Sequence, residues 1–205
     1  MKASVKGLAI VTLAVLVAGC EPGGSNNSSG STYEISGEVT TVTLTGRGGN
    51  VTLTASDSGS VRVIEDLRYS DSEPETSHNV TGSTLNLVDN GCGNDNCYVN
   101  YEIELPRRTM VKIQTDGGDI TGRGLGADTT VTTAGGDIDL QYANSADLVD
   151  VTSAGGNVMI KVPSGPYDVD ASTDGGERAV SVQAVAGSVH KIRARSGGGD
   201  VTVAS

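Results

Sequence analysis

From residue 33 onward apolar and polar residues alternate along most of the chain, and a glycine pair or a close relative of one breaks the alternation at intervals. The breaks read GRGGNV (Gly46 to Val51), TDGGDI (Thr115 to Ile120), TAGGDI (Thr133 to Ile138), SAGGNV (Ser153 to Val158), TDGGER (Thr173 to Arg178) and SGGGDV (Ser196 to Val201). Numbered from Gly48, Gly117, Gly135, Gly155, Gly175 and Gly198, the flanks fall into register. Leu44, Ile113, Val131, Val151, Ala171 and Ala194 stand four residues before, and Val51, Ile120, Ile138, Val158, Arg178 and Val201 three after. A period of two on both sides predicts strands with one buried face. From Gly117 the references advance by 18, 20, 20 and 23 residues, the near-constant step of a solenoid whose coils bury their inward faces against one another. The same side-chain type recurs at the same coil position, which points to an all-β, right-handed parallel β-helix (β-solenoid) over residues 111–205. An antiparallel β-sandwich is the alternative.

Residues 33–110 follow the repeat less closely. One unit spans Val42 to Leu53, Ser58-Gly59-Ser60-Val61 reads as a worn second one, and Tyr69 to Thr81 reads as a long exposed loop. Thr84 to Val88 and Val99 to Leu105 alternate again. This half is expected to cap or pair with the start of the solenoid, making 33–205 one continuous domain. Arg178, at an apolar position, predicts a bulge or register shift in the Gly175 unit. The glycine pairs read as sharp corners too crowded for a Cβ, and Thr115, Thr133, Ser153, Thr173 and Ser196 as a structural hydroxyl ladder. With no Trp, no Phe and six Tyr, the core must come from Val, Ile, Leu and Ala, and the aromatic platforms common in sugar-binding sites are scarce.

The first residues change the picture from fold to address. Lys2 and Lys6, the apolar run Leu8 to Val17 and the small residues Ala18-Gly19 before Cys20 read as a signal peptide over 1–19, too short an apolar run to span a bilayer. Val17-Ala18-Gly19-Cys20 resembles the lipobox of bacterial lipoproteins, and that resemblance implies lipidation of Cys20. Residues 20–32, rich in Gly, Ser and Asn, read as a flexible tether that holds the body about 20 Å from the membrane. In an exported protein Cys92 and Cys97 are expected to form a disulfide; half of a zinc site is the weaker reading, because no second cysteine pair exists.

Loss of Lys2 and Lys6 takes the formal net charge from -11 to -13. Such acidity disfavours nucleic acid and anionic headgroups and favours cations or basic surfaces. Asp119, Asp137, Asn157, Glu177 and Asp200 each follow a glycine pair, with Asn50 in the same place earlier. In a parallel solenoid they would stack about 4.8 Å apart, a candidate Ca²⁺ row or a set of ordinary turn residues. Catalytic signals are thin: His78 and His190 lack neighbouring nucleophiles, no GxSxG, HExxH or phosphate-loop pattern occurs, and Arg193 and Arg195 would share a face beside Asp200 in a chain with few coils for a cleft. No catalytic residue and no cofactor beyond the possible Ca²⁺ is expected.

The recurring (T/S)xGG(D/N) units, the CxxxxC loop leading into Tyr98-Val99-Asn100-Tyr101-Glu102-Ile103-Glu104-Leu105-Pro106, and the lipobox together resemble the bacterial putative-adhesin family of unknown function, over roughly Val39 to Ser205. The resemblance implies a β-solenoid with GGD or SGD turns behind a lipoprotein signal. It points to a non-catalytic, lipid-anchored protein on the extracytoplasmic face of the cell membrane, with envelope polysaccharide or a surface protein as partner. An envelope-sensing or assembly module acting through a protein partner is the alternative, and a polysaccharide-active enzyme the remote one.

Overall fold

A computed structural model describes residues 10–13, 27–93 and 96–205. The lipidation site proposed at Cys20 lies outside the described residues, as does all of the signal peptide except Ile10–Leu13. The described residues form nineteen strands: β1 Ile10–Leu13, β2 Asn27–Ile35, β3 Thr41–Gly46, β4 Val51–Ser56, β5 Val61–Tyr69, β6 Thr76–Thr81, β7 Thr84–Asp89, β8 Cys97–Pro106, β9 Met110–Thr115, β10 Ile120–Leu125, β11 Thr129–Thr133, β12 Ile138–Tyr142, β13 Leu148–Ser153, β14 Val158–Lys161, β15 Pro166–Thr173, β16 Arg178–Val180, β17 Gln183–Ala184, β18 Lys191–Ser196 and β19 Val201–Ala204. No helix is present among the described residues.

The strands form two sheets, ordered β1-β2-β5-β8-β4-β10-β12-β14-β19-β16 and β17-β15-β18-β13-β11-β9-β3-β7-β6. Each glycine-pair unit places one strand in the second sheet, turns, and places the next in the first. Equivalent residues pair in parallel: Val131 lies between Ile113 and Val151, and Ile138 between Ile120 and Val158. The period-two pattern therefore does what it predicts, a two-sheet β-solenoid whose inward faces meet in a core of Val, Ile and Leu, with Leu53, Val61, Leu85, Leu105, Ile120, Val151 and Ile160 fully buried. At roughly 1.5–3 kcal/mol for each aliphatic side chain taken out of water, these rows dominate the stability of every coil.

The structure departs from the sequence reading at several places. The coils do not stack in chain order: β18 and β19 lie between the β13/β14 coil and the β15/β16 coil. The Gly175 unit keeps its register, Arg178 opposite Val201 and Val180 opposite Val203, so it contains no shift. Its coil is the last of the stack, and Arg178 is free to be polar because its inward position has no further coil to meet; its Nε donates to the Ala171 carbonyl at 2.8 Å. The stretch Tyr69 to Thr81 is a loop only over 70–75, and its second part is β6, an edge strand antiparallel to β7.

The N-terminal half completes the stack as expected. β7 pairs in parallel with β3, and β8 with β4, so β7 and β8 form a coil whose corner is the cysteine loop instead of a glycine pair. Cys92 and Cys97 are bridged across that corner. Ser58 to Val61 is no worn coil; it leads from β4 into β5, which pairs antiparallel with β8 and β2 and closes that end. β2 starts at Asn27, so Asn27–Thr32 of the stretch read as tether are strand.

The cap has a polar interior. The buried Glu65 carboxylate accepts hydrogen bonds from Ser31 Oγ at 3.0 Å, Tyr33 Oη at 2.8 Å and Thr76 Oγ1 at 3.0 Å, with no Lys or Arg partner among the described residues. His78 stacks on Tyr33, ring centroids 3.9 Å apart, which accounts for one of the two histidines without chemistry.

Burial, more than any neighbouring charge, pushes the phenols of Tyr33, Tyr101 and Tyr142 far above their ordinary range, with Glu65 adding to the effect at Tyr33 and Tyr101. The unfolded chain loses these protons near pH 10 while the folded chain keeps them. Above that pH the unfolded state binds fewer protons, and stability falls by up to about 1.4 kcal/mol per pH unit for each group. Urea unfolding measured between pH 9 and 11.5 should show this decline, with the phenolate absorbance of these three residues appearing only as the protein unfolds.

Candidate functional site

The corners that link the two sheets gather the residues the sequence singles out. In each corner the Thr or Ser hydroxyl accepts amide hydrogens and donates to a carbonyl. Gly117 N–H donates to Thr115 Oγ1, which donates back to the Gly117 carbonyl at 2.8 Å. Ser153, Ser196 and Thr173 donate instead across the stack, to the carbonyls of Gly136, Gly156 and Gly199. The hydroxyl row is structural, as its pattern predicts. Gly46 interrupts the row, and the buried Asp89 of the neighbouring coil lies beside it, accepting from the Gly91 amide at 2.8 Å and the Arg47 amide at 3.3 Å.

The row after the glycine pairs comes together along one edge. Asn50 N–H donates to Asn100 Oδ1, Asp119 N–H to Asn50 Oδ1, Asp137 N–H to Asp119 Oδ1, Asn157 N–H to Asp137 Oδ1, Asp200 N–H to Asn157 Oδ1 and Glu177 N–H to Asp200 Oδ1, all at 2.7 to 2.9 Å. Each side chain thus caps the amide of its counterpart one coil on. Only a side chain of Asn or Asp length appears where a following amide must be met, and Glu177 sits in the terminal coil, where none follows. One oxygen each of Asp119, Asp137, Asn157 and Asp200 is therefore already engaged by an amide donor, while the Glu177 carboxylate meets none of them. Among the described residues no group of three or more His, Cys, Asp or Glu side chains is disposed to hold a metal ion.

Because the required property is an acceptor and not a charge, Asp137→Asn should melt like the parent. Asp137→Ala, which strands the Asn157 amide at an exposed edge, should lose about 1 kcal/mol by thermal or urea unfolding.

The other polar residues named from sequence are dispersed. Arg193 lies 3.9 Å from Asp150 and Arg195 2.6 Å from Asp170, cross-strand pairs on the outer face of the second sheet, while Asp200 stands at the corner. His190 Nδ1 lies 2.9 Å from the Ala146 carbonyl.

One concavity was not foreseen. At the corner closed by the disulfide, a groove of about 580 Å³ is bordered by Arg47, Asn50, Tyr98 and Asn100 over a floor of Gly48, Gly49 and Gly118. Tyr98 is 47% exposed although it is large and aromatic, on the outer face directly after Cys97. Arg47 forms no ion pair among the described residues. Its stem runs across Gly91, where a Cβ would come within 2.8 Å of Arg47 Cδ and where φ is +72°, so the turn and the arginine both require glycine. Sequence alone offers little to find this groove: Arg47 follows no pattern, and Tyr98 reads as one more strand residue.

The family model for Toastrack DUF4097 matches residues 100–204. The chain belongs to the Toastrack DUF4097 family. Several solved structures are similar to this Toastrack chain, two of them as follows. One, of a putative cell adhesion protein from Clostridium sporogenes, has 15% identity and a TM-score of 0.63, and the match covers 87% of this chain and 99% of that one. The other, of a putative adhesin from Bacteroides fragilis, has 15% identity and a TM-score of 0.37, covering 91% and 99%. At such identity the Clostridium likeness speaks for the Toastrack fold and no further. None of the curated proteins matches the sequence.

Proposed function

We propose that the chain is a non-catalytic binding module of the cell surface, anchored on the extracytoplasmic face of a membrane by a lipid on Cys20. The observation that carries the binding role is the groove at the disulfide corner, where an exposed aromatic ring stands with an arginine that has no ion-pair partner among the described residues, on an acidic chain. The description of the similar Clostridium structure as a putative cell adhesion protein agrees with that role. The anchor is supported by the lipobox-like Val17-Ala18-Gly19-Cys20. Cleavage before Cys20 would remove β1 and leave β2 as the edge of its sheet.

The test is labelling with a radioactive fatty acid and fractionation of cells producing the full chain or its Cys20→Ser variant, followed by adhesion of those cells to envelope polysaccharide. Label and adhesion should both depend on Cys20; an unlabelled chain, or adhesion that ignores its presence, would sink the proposal. A second reading, recruitment of a protein partner, is favoured by the exposed Val185 and Val189 near the terminal coil, and a pull-down on envelope proteins addresses it.

A further inference from the structure

We infer that the groove at the disulfide corner binds a carboxylate-bearing sugar unit of a polysaccharide, with the sugar ring against Tyr98 and its carboxylate on Arg47. This rests on the reading of the chain as a surface binding module and names what that module holds. Three observations converge on it.

The first is a cation with no ion-pair partner among the described residues. Of the arginines around Tyr98, Arg68 is its cross-strand neighbour and spends its Nε on Asp66 at 3.0 Å. Arg47 has no such partner among the described residues, on a chain of formal net charge -11 where carboxylates are plentiful. Its stem is laid over Gly91 in the turn leading to the bridged cysteines, so its position is set by the fold. A planar guanidinium pairs with a carboxylate through two parallel hydrogen bonds, a geometry a lysine would not supply.

The second is the ring. Tyr98 is the one tyrosine among the large exposed apolar side chains of the described residues, and it follows a disulfide that fixes its strand. A flat aromatic face of this kind suits the C–H face of a sugar, while its hydroxyl stays in water. The third is the space. Gly48, Gly49 and Gly118 leave a floor of bare backbone, and Asn50 spends its Oδ1 on the Asp119 amide, leaving its NH₂ without a partner among the described residues. A volume of about 580 Å³ lies within the range of small-ligand sites and suits one or two sugar units better than a protein surface.

A neutral sugar would use the ring and leave the guanidinium unmatched; a free anion would use the guanidinium and leave the ring. A nucleic acid strand would have to pass the acidic body, with no row of Lys and Arg to meet its phosphates. The body's negative charge does not forbid a single carboxylate, because at physiological salt charges more than about 8 Å away are largely screened.

The probe is a tetramer of galacturonic acid, titrated by calorimetry into the full chain in detergent micelles beside its fully methyl-esterified form and inorganic phosphate. The tetramer should bind, and both esterification and Arg47→Gln or Tyr98→Ala should weaken binding by about tenfold, the effect of losing one charge-assisted hydrogen-bond pair or one stacked ring. Arg47→Lys should fall between Arg47→Gln and wild type, and Arg195→Gln, on the other sheet, should bind like wild type. Each variant's melting temperature is measured alongside, and a tyrosine fluorescence change on binding that persists in Tyr98→Ala would place the sugar elsewhere even if affinity fell. No binding, equal binding of the ester, Arg47→Gln binding like wild type, or phosphate competing as well as the tetramer would each overturn the assignment. If purified chain binds the tetramer as described but cells do not adhere, the surface-adhesion reading fails and this site stands; adhesion that survives Arg47→Gln removes the site and leaves that reading.

Discussion

Gly118→Ala is expected to cost roughly 3–5 kcal/mol of folding stability, enough to unfold a marginal solenoid, while Gly117→Ala one residue away changes stability by less than about 1 kcal/mol. A Cβ on Gly118 would collide with the carbonyl of Gly49 in the neighbouring coil, and its φ of +82° is one that alanine adopts only under strain. A Cβ on Gly117 meets nothing within 4 Å. The contrast recurs at Gly136, whose Cβ would strike the Gly118 carbonyl, and Gly135, which is open. The two glycines of a pair therefore have different work: the second lets one coil's backbone rest on the next, and the first is open in the early coils. Equilibrium urea unfolding of the two alanine variants is the check. Equal losses would mean that flexibility matters, and not contact between coils.

Glu65→Ala should cost about 3 kcal/mol, and Glu65→Gln clearly less. The carboxylate gathers three hydroxyls from β2 and β6 onto β5, bridging both sheets where the solenoid is closed by antiparallel strands. Removing it leaves Tyr33, buried beneath His78, without its acceptor and opens a void between the sheets. Hydrogen exchange should show the loss concentrated in β2, β5 and β6, with the coils from β11 onward nearly as protected as before. Uniform loss of protection would mean that cap and solenoid unfold as one.

Inward positions, corners and the hydroxyl row were legible because each follows from a local rule: alternation marks a buried face, and two glycines mark a corner. Stack order was not. Val149, Ile192 and Val169 are all aliphatic at equivalent positions, so nothing in their chemistry says that Ile192 belongs between the other two. Arg178 misled for a related reason: a polar residue on an inward position means a distortion in mid-stack and a terminus at the end of it, and the sequence does not say which place the coil occupies. At the candidate site the acidic row was visible, but its use was not, because the acceptor for each amide lies 18 to 69 residues away and its first member, Asn100, sits outside the repeat. Arg47 and Tyr98 meet only through the cysteine corner, a contact with no periodic trace.

The interposed coil also governs when this molecule can be finished. A chain leaving a ribosome or a translocation channel delivers β15 and β16 before β18 and β19, yet in the native stack they have only β18 and β19, with the short β17, to rest against. Until β19 has emerged, that coil either waits without a sheet or settles on β13 and β14, with Val169 against Val149 in a register of the same hydrophobic pattern. Synthesis alone cannot lay this solenoid down coil by coil: the β15/β16 coil reaches its native place only once β18 and β19 have arrived to lie between it and β13/β14.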